Sequence, residues 1–286
     1  MLMGKRRHLP FAKQPHGLSA AALSAARQSR LVKPLQLSKK RVMLALPTEH
    51  AQLTTAIAMM LADAVGLSMT PGYPFEFEIA IVNDKYPTEY ARNCLAKKLL
   101  DSKCEAMWFI DSDTLPTSNS FELLKVDADI ACGIYPIGRG DRGNERLPFD
   151  WSFYLHEKDW SFRPLPLEAY EENEVVECDA AATGCMIIKR RVIEHFAKDA
   201  PLDNDGIPAV FDWPKYATGK SITSDDLSFC RRAKEAGFSL KVHTGIRWGH
   251  IKQRDMRDVY DQLKYAFMAG VGEQMAKEEE ENVATA

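Results

Sequence analysis

Three apolar runs in this chain each stop abruptly at a polar or helix-breaking residue, and that pattern constrains the fold more than any other feature. Residues 42–46 (VMLAL) end at Pro47, residues 75–82 (FEFEIAIV) end at Asn83-Asp84, and residues 106–110 (AMWFI) end at Asp111-Ser112-Asp113. Short runs of this kind read as strands of a largely buried parallel sheet. Between them, residues 51–65 place Leu53, Ile57, Met60, Leu61 and Val65 at helical spacing, and residues 90–100 predict a second helix with Arg92 and Asn93 in its first turn. Strand, helix, strand, helix, strand begins a doubly wound α/β sheet, in which ligands bind beyond the carboxyl ends of the strands. The polar residues at these three ends are therefore the first candidates for function.

The rest of the chain continues the same plan. Residues 129–135 (DIACGIY) read as a strand, 175–188 as strand, small-residue turn and strand, and 189–196 as a helix. Residues 224–236 form an amphipathic helix with Leu227, Phe229 and Cys230 inward, closed by Gly237. A last short strand at 240–242 leads to a turn at Trp248-Gly249-His250, and Met256, Val259, Tyr260, Leu263 and Phe267 space out one long C-terminal helix. The expected architecture is a mixed α/β sheet with helices on both faces. A basic arm (1–41) precedes the main domain (42–252), and a helix with an acidic tail (253–286) follows it.

Composition excludes several classes. With 45% apolar and 27% charged residues the chain is ordinary globular material. No run reaches the roughly 18 apolar residues of a membrane span, since Asp63 interrupts the best candidate at 54–69. The six cysteines show no metal-ligand spacing and read as reduced core thiols of a cytoplasmic protein. The net charge of −3 hides a block pattern: ten Lys and Arg precede Val42, and no acid occurs before Glu49. That arm suits a polyanionic partner, nucleic acid foremost, although a solvated tail or an organellar targeting segment has similar composition.

Asp111 and Asp113 follow a hydrophobic strand directly, so both carboxylates lie at the sheet's ligand-binding edge. Two hard oxygen ligands at that spacing suit Mg²⁺ or Mn²⁺, which take one or two protein carboxylates beside diphosphate oxygens. In a surface turn the same triplet would be ordinary turn chemistry. Ser224-Asp225-Asp226 either supplies an acid–base pair or caps its helix. Arg92 either meets a phosphate or makes a surface ion pair. Residues 139–160 combine Arg139, Arg142 and Arg146 with Phe149, Trp151, Phe153, Tyr154 and Trp160, which fits either an acceptor-binding loop or a small loop core.

On these residues the chain resembles the GT-A glycosyltransferase family over roughly residues 42–252. The DSD triplet is similar to the family's metal-binding DxD, and Thr183-Gly184 stands where the family has a glycine-bearing loop near the sugars. Ser224-Asp225-Asp226, followed by LSFCRRAKEAGF, is similar to the acidic xED segment, and His250 corresponds to the C-terminal metal-binding histidine. The resemblance implies a nucleotide-sugar donor, UDP-sugar foremost, and Mn²⁺ or Mg²⁺ held by Asp111, Asp113 and His250. It implies Asp226, or else Asp225, as the base that deprotonates an acceptor hydroxyl if the enzyme inverts configuration. It further implies Pro47, Thr48 and Asp84 at the base and ribose, with Arg92, Ser112 and Gly184 also on the donor.

The leading expectation is a cytoplasmic glycosyltransferase, in a host cytoplasm if viral. Its acceptor would be DNA, for instance a hydroxymethylated pyrimidine. A transferase acting on a lipid-linked or surface polysaccharide comes second, and a non-catalytic nucleic-acid-binding protein of the same fold third. A nucleotidyltransferase would call for a glycine-rich loop after the first strand, and LALPTEH has none.

Overall fold

The computed structural model of the chain describes residues 39–49, 52–138, 149–215, 218 and 222–251. The basic arm before Lys39, Arg139, Arg142, Arg146 and the expected C-terminal helix lie outside the described residues.

Strand β1 (Lys40–Thr48) is followed by helix α1 (Thr55–Met69), strand β2 (Phe75–Asn83), helix α2 (Thr88–Asp101) and strand β3 (Ala106–Ile110). Then come β4 (Ile130–Ile134), β5 (Val175–Glu177), β6 (Cys185–Lys189), α3 (Arg190–Ala197), α4 (Asp225–Glu235) and β7 (Leu240–Arg247). These seven strands make one sheet in the order β5-β7-β4-β6-β3-β1-β2. β1 is parallel to both β2 and β3, and β7 is parallel to β4. β6 runs antiparallel between β3 and β4, and β5 is antiparallel to β7. The fold is thus the expected mixed α/β sheet.

Both faces are covered. On one side Ile57, Met60 and Ala64 of α1 and Leu123 pack with Leu44, Leu46 and Trp108. On the other, Leu95 and Leu99 of α2, Val192 of α3 and Phe229 of α4 pack with Met43, Phe109 and Val242. Every side chain of β3 is buried, as its unbroken apolar sequence requires.

Several boundaries differ from the sequence reading for local reasons. α1 starts at Thr55 rather than 51 because Thr54 caps it, its side chain accepting from the Ile57 amide at 3.2 Å. β1 takes in Lys40 and Arg41, read above as the end of the arm. Arg41 pairs with Glu76 at 3.2 Å, and Lys39 donates to the Ser68 and Thr70 carbonyls at the end of α1. β7 runs to Arg247 instead of stopping at Val242, with Thr244 and Ile246 buried on its inward side.

The Trp248-Gly249-His250 turn is in fact a strand pairing. Gly249–His250 lies antiparallel to Thr114–Leu115, with His250 opposite Thr114. Trp248 anchors it, fully buried and stacked on Trp108 at 6.1 Å, with its indole N–H donating to Ser120 Oγ at 2.9 Å. In the 149–160 stretch Phe153 is core, whereas Trp160 lies under Arg231 at 4.2 Å. All six cysteines are free thiols and five are buried. Among the described residues no helix is long and apolar enough to cross a membrane.

Candidate functional site

β1 and β2 end level, Thr48 pairing with Asn83, while β3 stops about two residues short of them, since Ala45 pairs with Phe109. A cleft of about 220 Å³ opens beyond them, lined by Pro47, Thr48, Asp111, Ser112 and Asp113 together with Glu49, Lys85, Tyr86, Thr88 and Ala91. Five of the predicted residues therefore converge. Asp84 is not among the lining residues; it adopts φ 51° just past β2, and its amide donates to the Thr48 carbonyl at 3.0 Å, closing that strand end.

His250 reaches the DSD triplet through the pairing of 249–250 with 114–115, reinforced by the Ile251 amide donating to the Asp113 carbonyl at 2.7 Å. Its Nδ1 lies 2.7 Å from the Pro136 carbonyl, which can only accept, so Nδ1 carries a proton. Nε2 faces Asp113 Oδ2 at 3.2 Å. A histidine whose second nitrogen is fixed by a backbone carbonyl is oriented as metal-ligating histidines are.

Behind the cleft lies a buried charge cluster. Arg92, 7% exposed, donates from Nη1 to Asp225 Oδ2 at 2.5 Å, and its Nη2 lies 3.5 Å from Asp111 Oδ2. Asp225 is 3% exposed. Arg92 is thus neither a surface ion-pair residue nor a lining residue of the cleft. Burial pushes the Asp111 carboxyl above the ordinary carboxylate range; Arg92 opposes that rise and Asp113, Asp226 and Asp225 add to it. Asp111 Oδ1 is buried and has no hydrogen-bond partner.

Asp226 opens helix α4 beside Asp225. Its Oδ1 accepts from the Ser224 hydroxyl and from the Leu227 amide, the latter at 2.8 Å, so Oδ2 is the oxygen left for other chemistry. Ser224 does not cap the helix through its own side chain. Burial raises the Asp226 carboxyl, with Arg92 opposing and Asp225 adding.

Gly184 serves a close approach. Its amide donates to the Tyr135 hydroxyl at 3.0 Å, and a Cβ there would lie 2.7 Å from that oxygen. The Asp111 amide donates to the Gly184 carbonyl at 3.3 Å, so the small-residue loop and the DSD triplet are joined. Tyr135 also packs edge-on against His250, with ring centres 5.0 Å apart.

Sequence reasoning missed Tyr135 and the cleft residues Glu49, Lys85, Tyr86 and Thr88. Their signal was position: Glu49 directly follows Thr48, and Lys85-Tyr86 directly follow the β2 end. Tyr86 is pushed up to about 12, first by its hydrogen bond to Glu49, a contact that links two strand-end loops.

The donor set fits a divalent cation, with carboxylates at Asp111 and Asp113, a partnerless buried Asp111 Oδ1 and an oriented His250 Nε2. Among the described residues no three His, Cys, Asp or Glu side chains already converge as a complete ligand group.

No protein-family model matches the chain, and no curated protein sequence does. Among solved structures it is similar to A197 from STIV, with TM-score 0.47 and 16% identity over 75% of this chain and 86% of that one. A structure of GalNAc-T7 with UDP, GalNAc and Mn²⁺ aligns with TM-score 0.42 and 11% identity over 76% of this chain and 44% of that one. The inositol-1-phosphate CTP transferase from T. maritima aligns with TM-score 0.34 and 13% identity over 80% and 96%.

Proposed function

We propose that the chain is a metal-dependent glycosyltransferase that moves a sugar from a nucleotide-sugar donor, UDP-sugar foremost, to a hydroxyl acceptor. The observation that carries this reading is the cleft at the ends of β1 and β3, where Pro47, Thr48 and the DSD triplet line one space and His250 Nε2 is set against Asp113. Nucleotides bind at this edge of doubly wound sheets.

Asp111, Asp113 and His250 would hold Mn²⁺ or Mg²⁺. When bound, such an ion neutralises charge on the departing diphosphate. Asp226 is the base: Oδ2 takes the proton of the acceptor hydroxyl as that oxygen bonds to the anomeric carbon and the bond to the diphosphate breaks. The rise that burial gives its carboxyl brings it nearer to neutral pH, where a general base works best. Asp225, tied to Arg92, serves the site's structure.

The acceptor that best fits the chain is DNA carrying a hydroxymethylated pyrimidine. The support for it is the arm of ten Lys and Arg before Val42. Two experiments test these readings. Calorimetric titration with UDP, GDP and CDP, with and without Mn²⁺, should give metal-dependent binding that Asp113→Ala abolishes; binding of none of them sinks the transferase reading. DNA binding that weakens steeply with salt supports the acceptor, and no binding at low salt removes it.

A further inference from the structure

Among the described residues Arg92 is the most deeply buried cation near the cleft, and its position calls for a reason. Nη1 is committed to Asp225 at 2.5 Å, while Nη2 lies 3.5 Å from Asp111, and both contacts on the acids fall on Oδ2. The second oxygen of Asp111 is buried without a partner. One guanidinium therefore spans the residue that ends β3 and the residue that opens α4, elements far apart in sequence. A planar guanidinium fixes the direction of its hydrogen bond to Asp225 and of its ion pair with Asp111 together, whereas a lysine ammonium, a compact charge on a flexible stem, fixes neither.

We infer that Arg92 is a positioning residue: by holding Asp111 through Oδ2 it presents Oδ1 as the ligating oxygen, and by engaging Asp225 it leaves Asp226 as the free acid of the pair. This rests on the metal-dependent reading of the cleft. It also explains why a cation stands beside a cation site at all. By charge alone, Arg92 opposes binding of a divalent ion at Asp111. Holding the ligand's geometry is the benefit that offsets this repulsion.

That opposition makes the idea testable without turnover. Mn²⁺ binding to the protein alone, with no nucleotide, is followed by the EPR signal of free Mn²⁺ for wild type, Arg92→Lys, Arg92→Met and Asp225→Asn, with a thermal melt of each. The positioning role predicts that both Arg92 variants bind Mn²⁺ more weakly, on the order of 10- to 100-fold as for other groups that orient a metal ligand. It predicts a smaller loss for Asp225→Asn. A purely electrostatic role predicts unchanged affinity for Arg92→Lys and tighter binding for Arg92→Met; either result overturns the inference. A purely structural role lowers the melting temperature and leaves the affinity of the folded protein intact, which overturns it equally. If Arg92→Met does not fold, Arg92→Lys and Asp225→Asn decide. Wild-type protein that binds Mn²⁺, but whose affinity for nucleotides does not depend on it, removes the transferase reading and leaves the Arg92 inference standing. Wild-type protein that takes up no Mn²⁺ without nucleotide overturns the Arg92 inference, and the nucleotide titration with and without Mn²⁺ decides the transferase reading separately.

Discussion

His250 Nε2 lies 3.2 Å from Asp113 Oδ2 while its Nδ1 donates to the Pro136 carbonyl at 2.7 Å. The Pro136 carbonyl fixes the ring and leaves Nε2 turned toward Asp113, so its role is open to substitution. His250→Ala should weaken metal-dependent UDP binding at least about tenfold, while removing one hydrogen bond of about 1 kcal/mol from stability. Calorimetry with and without Mn²⁺ checks this; unchanged affinity would remove His250 from the metal site.

Asp226→Asn separates chemistry from binding. Turnover should fall by about 10²- to 10⁴-fold, the usual contribution of a general base, with donor affinity kept. Stability adds a second readout with a definite sign. A carboxyl raised by burial above its unfolded value favours the fold below the unfolded pKa and loses that contribution as pH rises through the folded value. In the presence of chelator the variant should therefore melt higher than wild type at pH 8, and the gap should shrink toward pH 4.

Asp129 has the opposite sign. Despite burial, which raises it, the bonds from the Arg191 side chain and from the amide and hydroxyl of Ser239 hold its carboxyl below the usual range. That stability is present above the unfolded pKa and is lost as pH falls through the folded value. Asp129→Asn should cost about 1–3 kcal/mol at pH 7, with the difference from wild type closing in acid; urea unfolding at pH 7 and pH 3 measures both.

Gly184→Ala would set a methyl group 2.7 Å from the Tyr135 hydroxyl and 2.8 Å from its ring carbon Cζ. The expected loss is about 1–3 kcal/mol, read in a melt. Adding Tyr135→Phe should recover part of it by removing the nearer atom; no recovery would mean that the clash is relieved elsewhere.

Much of the sheet was legible because burial on both faces leaves an unambiguous mark. AMWFI has the same bounds in sequence and structure, and the carboxylates after it line the cleft. The partner of Asp113 was less legible. His250 arrives through strands of two residues, Thr114–Leu115 and Gly249–His250, too short to leave any periodicity. Arg92 carried no sign of burial, since the carboxylate that neutralises it is 133 residues away. Tyr135 looked like the end of a strand, because its hydrogen bond goes to a glycine amide, a group every residue type but proline possesses.

The antiparallel pairing of β6 with β3 has a mechanical consequence. Cys185 sits opposite Ile110, and the Asp111 amide is bonded to the Gly184 carbonyl, so the triplet and the glycine loop are two ends of one braced corner. That corner cannot swing open without breaking a sheet in which β3 is wholly buried. On the other side of β1, the Asp84 amide on the Thr48 carbonyl and the Thr48 hydroxyl on Asn83 Oδ1 tie the ends of β1 and β2 together, beneath the loops that carry Glu49, Lys85 and Tyr86. A ligand entering the cleft therefore meets strand ends that are each tied to a neighbour, and it is admitted by its shape and not by spreading them.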